Sequence, residues 1–229
     1  MNPLLATAAL MHHKNEVEYF VGTAFSYKSE KHFITANHCM PKDLGSVTLA
    51  IPTAQKVLTV SAIARHETAD LALLYCDHPS NNYEGIESFT AIDETVTYGT
   101  DFMTFGFPED FIGPNAGNPT PRLFKGYFQT LFNHNSHMGY KYKAGELSIP
   151  CPHGLSGAPL FHPDRRSVLS ALVTENIETS TEMWSETIEE KGSSKSEHTY
   201  NRVINYGVSV ILHHHKEWIE EHINNVEKV

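Results

Sequence analysis

Apolar and polar positions alternate along this chain in short runs. Residues 17–26 (VEYFVGTAFS), 33–36, 47–51, 57–64 and 71–76 are brief and rich in β-branched and aromatic side chains, the composition of β-strands. A second series follows at 102–105, 123–131, 139–142, 159–161, 168–173 and 206–210, and the polar stretch 77–95 separates the two. Many short strands punctuated by Gly and Pro predict an all-β sandwich or a pair of barrels. Two stretches depart from the pattern. Trp218, Ile219, His222, Ile223 and Val226 recur at three- and four-residue spacing, so an amphipathic helix is expected over 213–229. Residues 176–201 are rich in Ser, Thr and Glu with few aliphatic side chains. They bury too little apolar area to offset the entropy of ordering, and a mobile loop joining two strands is expected there.

Composition narrows the class. A hydrophobic fraction of 40% and a charged fraction of 19% over 229 residues are those of a folded globular chain. Lys and Arg number 17 against 27 Asp and Glu, for a net charge of -10, and the longest basic run is Arg165-Arg166. That argues against nucleic-acid and membrane-surface partners, which need clustered cations. The apolar stretch 4–11 is about half of the roughly 20 residues that span a bilayer. Met1-Asn2-Pro3 offers no basic side chain for the start of a signal peptide. Cys39, Cys76 and Cys151 cannot all pair within the chain and match no CxxC metal spacing. Their odd number favours a reducing compartment, and a cytoplasmic location is expected.

Three segments carry candidate chemistry. In Cys151-Pro152-His153-Gly154-Leu155-Ser156-Gly157-Ala158-Pro159 a serine between glycines sits where a tight turn exposes its Oγ. The N–H groups of Gly154 and Ser156 can there point into one small space, as an oxyanion hole requires. In Phe33-Ile34-Thr35-Ala36-Asn37-His38-Cys39 a strand runs into a histidine, whose ordinary pKa suits proton transfer at neutral pH. In Ala69-Asp70-Leu71-Ala72-Leu73-Leu74 a carboxylate opens an apolar run, where burial is costly without a partner such as an imidazole N–H. Each segment alone also reads as an ordinary turn, a structural histidine or a strand-start aspartate. Together they stand in the order His, Asp, Ser, at separations of 32 and 86 residues, one of the chain orders in which such a triad occurs.

At these residues the chain resembles the trypsin-like (chymotrypsin-fold) serine peptidases. Thr35-Ala36-Asn37-His38-Cys39 is similar to the family's histidine signature, Ala69-Asp70-Leu71-Ala72-Leu73-Leu74 to its aspartate motif, and Gly154 to Pro159 to its nucleophile loop. Gly22-Thr23-Ala24-Phe25, Phe105-Gly106-Phe107-Pro108, Val168 to Thr174 and Tyr206-Gly207-Val208-Ser209-Val210 extend the likeness, closest in style to HtrA-type and bacterial or viral members. The resemblance implies two six-stranded antiparallel β-barrels and a C-terminal α-helix. The N-terminal barrel, 1–90, carries His38 and Asp70, and the C-terminal barrel, 91–212, carries Ser156.

The resemblance further implies peptide-bond hydrolysis with Ser156 as nucleophile, His38 as general base and Asp70 orienting it, and with Gly154 and Ser156 as the oxyanion hole. Pro150, Cys151 and His153, with the strand at Val173 and Thr174, would line the pocket for the residue before the scissile bond. Pro150 and Cys151 are uncharged, which favours a neutral side chain, while Glu175 nearby favours a basic one. His153 is expected to face solvent. Cys39 has no cysteine partner near Val21 and is expected to be a free buried thiol, and Leu155 replaces the Asp or Asn common in the family. No metal or organic cofactor is required. His213-His214-His215 reads as a solvated helix start rather than a metal site, and Cys151 as an inert thiol. With few residues after the last strand, no PDZ-like domain is expected. The partner is a protein or peptide substrate. The alternatives are a peptidase-fold module that binds peptides by strand addition, and a latent protease activated by a regulatory protein.

Overall fold

The computed structural model describes residues 1–15, 17–42, 47–108, 120–189 and 195–226. Its first sheet contains β1 (Thr7–Lys14), β2 (Val17–Tyr27), β3 (Ser29–Thr35), β4 (Val47–Ile51), β5 (Lys56–Thr59), β6 (Ala62–Arg65) and β7 (Ala72–Tyr75). They lie in the order β5-β4-β1-β2-β3-β7-β6. β5 and β6 stand at opposite ends of that order, yet only Val60 and Ser61 separate them. The Val60 N–H donates to Val47 O at 3.0 Å and the Ser61 N–H to Tyr75 O at 2.7 Å. One cornered run therefore bonds to β4 on one side and β7 on the other, and closes the sheet as a barrel of six staves. The expected strand 57–64 is thus two strands meeting at a corner, a closure that leaves no edge exposed.

The second sheet contains β8 (Ala91–Ile92), β9 (Asp101–Gly106), β10 (Arg122–Asn135), β11 (Lys141–Leu147), β12 (Pro159–Phe161), β13 (Val168–Glu189) and β14 (Lys195–Ile211). Its order is β12-β9-β10-β11-β14-β13-β8, and β12 also pairs with β13. That extra pairing closes a ring of six antiparallel strands, with the two-residue β8 added in parallel on β13.

Two expectations change. The apolar stretch 4–11 is a short 3-10 turn, Pro3–Leu5, followed by β1, which lies inside the first sheet between β2 and β4. Ala6, Thr7, Ala8, Ala9, Leu10 and Met11 are all buried. Ala8 and Leu10 join the main core while Ala9 and Met11 pack with Phe107. A strand covered on both faces shows no alternation, so its sequence does not announce a strand. The polar stretch 176–201 is not a loop joining two strands. It belongs to β13 and β14, which continue as an antiparallel ribbon in register from Ala171 opposite Ile211 to Glu189 opposite Lys195. Backbone ladder bonds and β-branched cross-strand neighbours such as Thr179 and Ile204 carry it, rather than apolar burial. Residues 190–194 of the expected loop lie outside the described residues.

Phe25, Phe33, Leu10, Leu49 and Leu74 are fully buried in the main core, and Phe102, Phe128, Leu147, Leu160 and Val173 in a second cluster. Each such side chain contributes on the order of 1.5–3 kcal/mol by leaving water. Phe89, from the connection between the sheets, stacks edge-on to Phe25 at 5.7 Å and lies 5.6 Å from Phe161, tying the two halves together. After β14 a 3-10 turn, Leu212–His215, leads into α1 (Lys216–Val226). Ile219 and Ile223 are its buried positions, and it packs on β7, so the end of the chain returns to the first sheet. Residues 227–229 of the expected helix lie outside the described residues. No helix among the described residues is long and apolar enough to cross a membrane.

Candidate active site

His38 leaves β3 through extended Ala36 and sits in a one-turn 3-10 segment, Asn37–Cys39. Arg65, the last residue of β6, staples that turn. Its guanidinium donates to Asn37 Oδ1 at 2.7 Å and to Pro41 O at 2.6 Å. Asp70 lies in the turn between β6 and β7 and is 3% exposed. Its Oδ1 accepts the His38 backbone N–H at 2.9 Å, and its Oδ2 pairs with His38 Nδ1 at 2.6 Å. Two bonds from one carboxylate fix both the backbone and the ring of His38, leaving Nε2 toward the groove. Burial of the ring opposes its charged form, but the hydrogen bond to Asp70, the contact with Cys39 and the Asp70 charge outweigh it. His38 is held above the usual histidine range.

Ser156 comes from the opposite barrel. Gly157 N–H donates to Val173 O at 2.8 Å, and Ala158 N–H to Leu155 O at 2.9 Å. β2 holds the same loop, because Thr23 N–H donates to Ser156 O at 2.8 Å and Thr23 Oγ1 donates to Gly154 O at 2.8 Å. Leu155 N–H donates to Pro152 O at 3.1 Å across a turn whose third residue is Gly154 at φ 85°. That is a type II turn, which demands a positive φ there and so favours glycine. Leu155 is fully buried in the second core cluster and anchors the turn by packing. The N–H groups of Gly154 and Ser156 make no hydrogen bond to the described residues.

The Ser156 hydroxyl does not meet His38. It donates to Thr174 O at 2.7 Å, while Cys39 Sγ lies 3.5 Å from His38 Nε2 and 3.8 Å from Ser156 O. The carbonyl of Thr174 is available because β13 bulges between Val173 and Glu175 against β14, and a bulge re-aims backbone groups out of the ladder.

His38 and Ser156 open onto a groove of about 820 Å³. Pro150, Cys151, His153 and Thr174 line it as expected. His153 is exposed. Val173 does not line it. Its backbone pairs with Gly157 and Ala158 and its side chain lies in the core. Groove residues with no motif of their own are Phe124, His137, Met138, Asn176, Glu178 and Asn205. Asn176 clamps the wall ahead of the nucleophile loop, accepting from Cys151 N–H at 2.6 Å and donating to Cys151 O at 2.5 Å. Glu175 faces His134 and lies 3.1 Å from His137 Nδ1, so two histidines flank the carboxylate noted from sequence. Burial pushes the Cys151 thiol up to about 12, which makes it the inert thiol expected. All three cysteines are free and buried. His213, His214 and His215 fall in the 3-10 turn, where His213 and His214 stack on each other and His215 turns toward His66.

A family model described as a trypsin-like peptidase domain matches residues 22–169, a span that includes His38, Asp70 and Ser156. The chain belongs to the trypsin-like peptidase family. Solved structures with this fold include the HtrA-type protease AlgW with a decapeptide, at 15% identity and a TM-score of 0.63, covering 96% of this chain and 65% of that one. The Rv3671c protease in its inactive form aligns at 14% identity and TM-score 0.58, over 91% of this chain and 84% of that one. The active form of Rv3671c from M. tuberculosis aligns at 15% and 0.57, over 75% and 70%. At these identities the likeness concerns the fold. This peptidase-family chain spans 65% of the length of the AlgW chain. No curated protein matches the sequence.

Proposed function

We propose that this member of the trypsin-like peptidases is a serine endopeptidase that works through an acyl-enzyme. Ser156 Oγ attacks the scissile carbonyl, His38 Nε2 takes its proton and returns it to the leaving amine, and Asp70 holds His38 in the tautomer that leaves Nε2 free to accept. The amides of Gly154 and Ser156 receive the developing oxyanion, at roughly 3–4 kcal/mol per donor. Water then cleaves the ester by the reverse sequence. The observation that carries this reading is the pair of hydrogen bonds between Asp70 and His38, at 2.6 and 2.9 Å, beside a serine on a glycine-flanked turn. Carboxylate, imidazole and serine come from separate segments, and a merely structural contact has no need of that convergence. The uncharged wall at Pro150 and Cys151 suits a neutral side chain before the scissile bond, and three buried free thiols suit a reducing cytoplasm.

A latent resting state is the second reading, favoured by one feature. Ser156 Oγ is engaged by Thr174 O and Cys39 lies against His38 Nε2, so rotation of the serine side chain must precede attack. A substrate or a regulatory protein that takes Thr174 O would release the hydroxyl. The test is intact-mass labelling by a fluorophosphonate probe, with His38→Ala and Ser156→Ala as controls. Stoichiometric labelling of wild type alone supports the peptidase. Labelling that needs added casein or peptide supports latency, and labelling of the Ser156→Ala protein overturns both readings.

A further inference from the structure

Asp70 orients His38, but its own position depends on the turn between β6 and β7, and one side chain organises that turn. His66 follows β6 directly. Its backbone N–H donates to Leu71 O at 2.9 Å, closing the loop at its base. Its ring Nδ1 accepts two backbone N–H groups, from Thr68 at 3.2 Å and from Ala69 at 3.0 Å. Ala69 is the residue before Asp70. A ring nitrogen that accepts two donors carries no proton, so the proton of neutral His66 is on Nε2. That nitrogen faces His215 Nδ1 at 3.1 Å. His215 accepts there and carries its own proton on Nε2, which is buried with no hydrogen-bond partner among the described residues. The Trp218 ring lies 5.0 Å from that of His66 and 4.3 Å from that of His222. The turn that bears Asp70 is thereby fastened to the C-terminal segment, 149 residues on in sequence.

We propose that His66 is the positioning residue of Asp70: neutral, it holds the Thr68–Ala69 amides on Nδ1 while Nε2–H latches the turn to His215, and protonated at Nδ1 it releases the two amides. A proton on Nδ1 would face two N–H donors, and a doubly protonated ring could no longer hold the turn. The inference rests on the reading that Asp70 orients His38 for catalysis. The groups facing the pair are Glu67 from the turn itself, His213 and His214 from the 3-10 segment, and His222 with Trp218 from α1. Burial lowers the His66 pKa, His222 adds to this, and Glu67 opposes it. His215 is lowered to about 4 by burial and by His66, His214 and His213. The hold of His66 on the two amides is therefore in place at neutral pH and is lost only in acid.

Two variants and two readouts test this. His66→Ala removes the acceptor, and His66→Asn supplies an amide oxygen that can cap the same turn without titrating. At neutral pH the rate of fluorophosphonate labelling is expected to fall at least about tenfold in His66→Ala and to stay within about threefold of wild type in His66→Asn, since small misplacements at an active site are costly. On the acid side the wild-type rate first falls with one proton, on His38, and below 6.5 steepens to two. The His66→Asn profile keeps a slope of one. Amide hydrogen exchange at Ala69, followed by NMR, reads the latch without any activity. Protection is expected in wild type and His66→Asn, to be lost in His66→Ala, and to be lost in wild type alone on acidification. Labelling of His66→Ala at the wild-type rate, or of His66→Asn as slow as His66→Ala, overturns the proposal. If wild type is not labelled at any pH, the peptidase reading fails, and unchanged Ala69 protection in His66→Ala then overturns the latch by itself.

Discussion

Replacing His215 with Phe removes the titratable ring from the seam between the C-terminal segment and the first barrel, and is expected to flatten the acid dependence of folding stability. The folded ring has its pKa lowered from 6.5 to about 4, first by burial and then by the His66, His214 and His213 rings. As pH falls, the unfolded chain takes up this proton near 6.5 and the folded chain only near 4. Between those values the unfolded state binds more protons, so stability rises with pH through the window and is lost as pH drops through it. A gap of about 2.5 units at 1.36 kcal/mol per unit corresponds to ~3.4 kcal/mol, which solvent around the half-buried ring reduces to about 2–3 kcal/mol. Phenylalanine fills a similar volume beside the His66 ring and binds no proton. Urea midpoints of both proteins at neutral pH and at about pH 4.5 measure the effect. Relative to wild type, His215→Phe should gain about 2 kcal/mol on going from the first condition to the second. A difference between the two proteins that is the same at both pH values refutes the reasoning, because it would mean that His215 binds its proton equally in the folded and unfolded chain.

Three further changes probe other parts of the structure. Asp70→Asn keeps an acceptor for the His38 backbone N–H but presents an NH₂ to Nδ1. The labelling rate should fall about 10⁴-fold, as for other triads of this kind, and a loss under tenfold would contradict the orienting role. Because Asp70 holds His38 above its usual range, the acid limb of wild-type labelling should lie above pH 6.5, and any residual limb in Asp70→Asn should move down. Gly157→Ala places a Cβ 2.0 Å from Thr23 O and 2.4 Å from Thr35 Oγ1, at φ 85°. The site joins the two barrels and backbone must move, so a loss of about 3 kcal/mol or more in a urea titration is expected, and a wild-type midpoint would show that the close approach relaxes freely. Asn176→Ala leaves the Cys151 N–H and C=O without their side-chain partners. A cost of about 1–3 kcal/mol is expected, and an unchanged midpoint would mean that water replaces the clamp.

The strands rich in β-branched and aromatic residues and the helix spaced at three and four residues were legible because each pattern is written within a few neighbouring positions. The segments bearing His38, Asp70 and Ser156 were legible for the same reason, and their order along the chain joined them. β1 was not, since Ala8, Ala9, Leu10 and Met11 are covered on both faces and therefore do not alternate. The ribbon of β13 and β14 was not, since its polar side chains hide a backbone ladder that needs no apolar face.

What the sequence by itself determined is local chemistry: a turn that needs glycine at 154, a carboxylate at the head of an apolar strand, a histidine at a strand exit. Only the tertiary structure decided which groups meet. It set the Ser156 hydroxyl on Thr174 O rather than on His38, Asn176 across the groove wall onto Cys151, and His66 against His215. Such pairings depend on how two closed barrels and a returning helix pack. Packing sums many weak, long-range contacts, and no single stretch of sequence contains them.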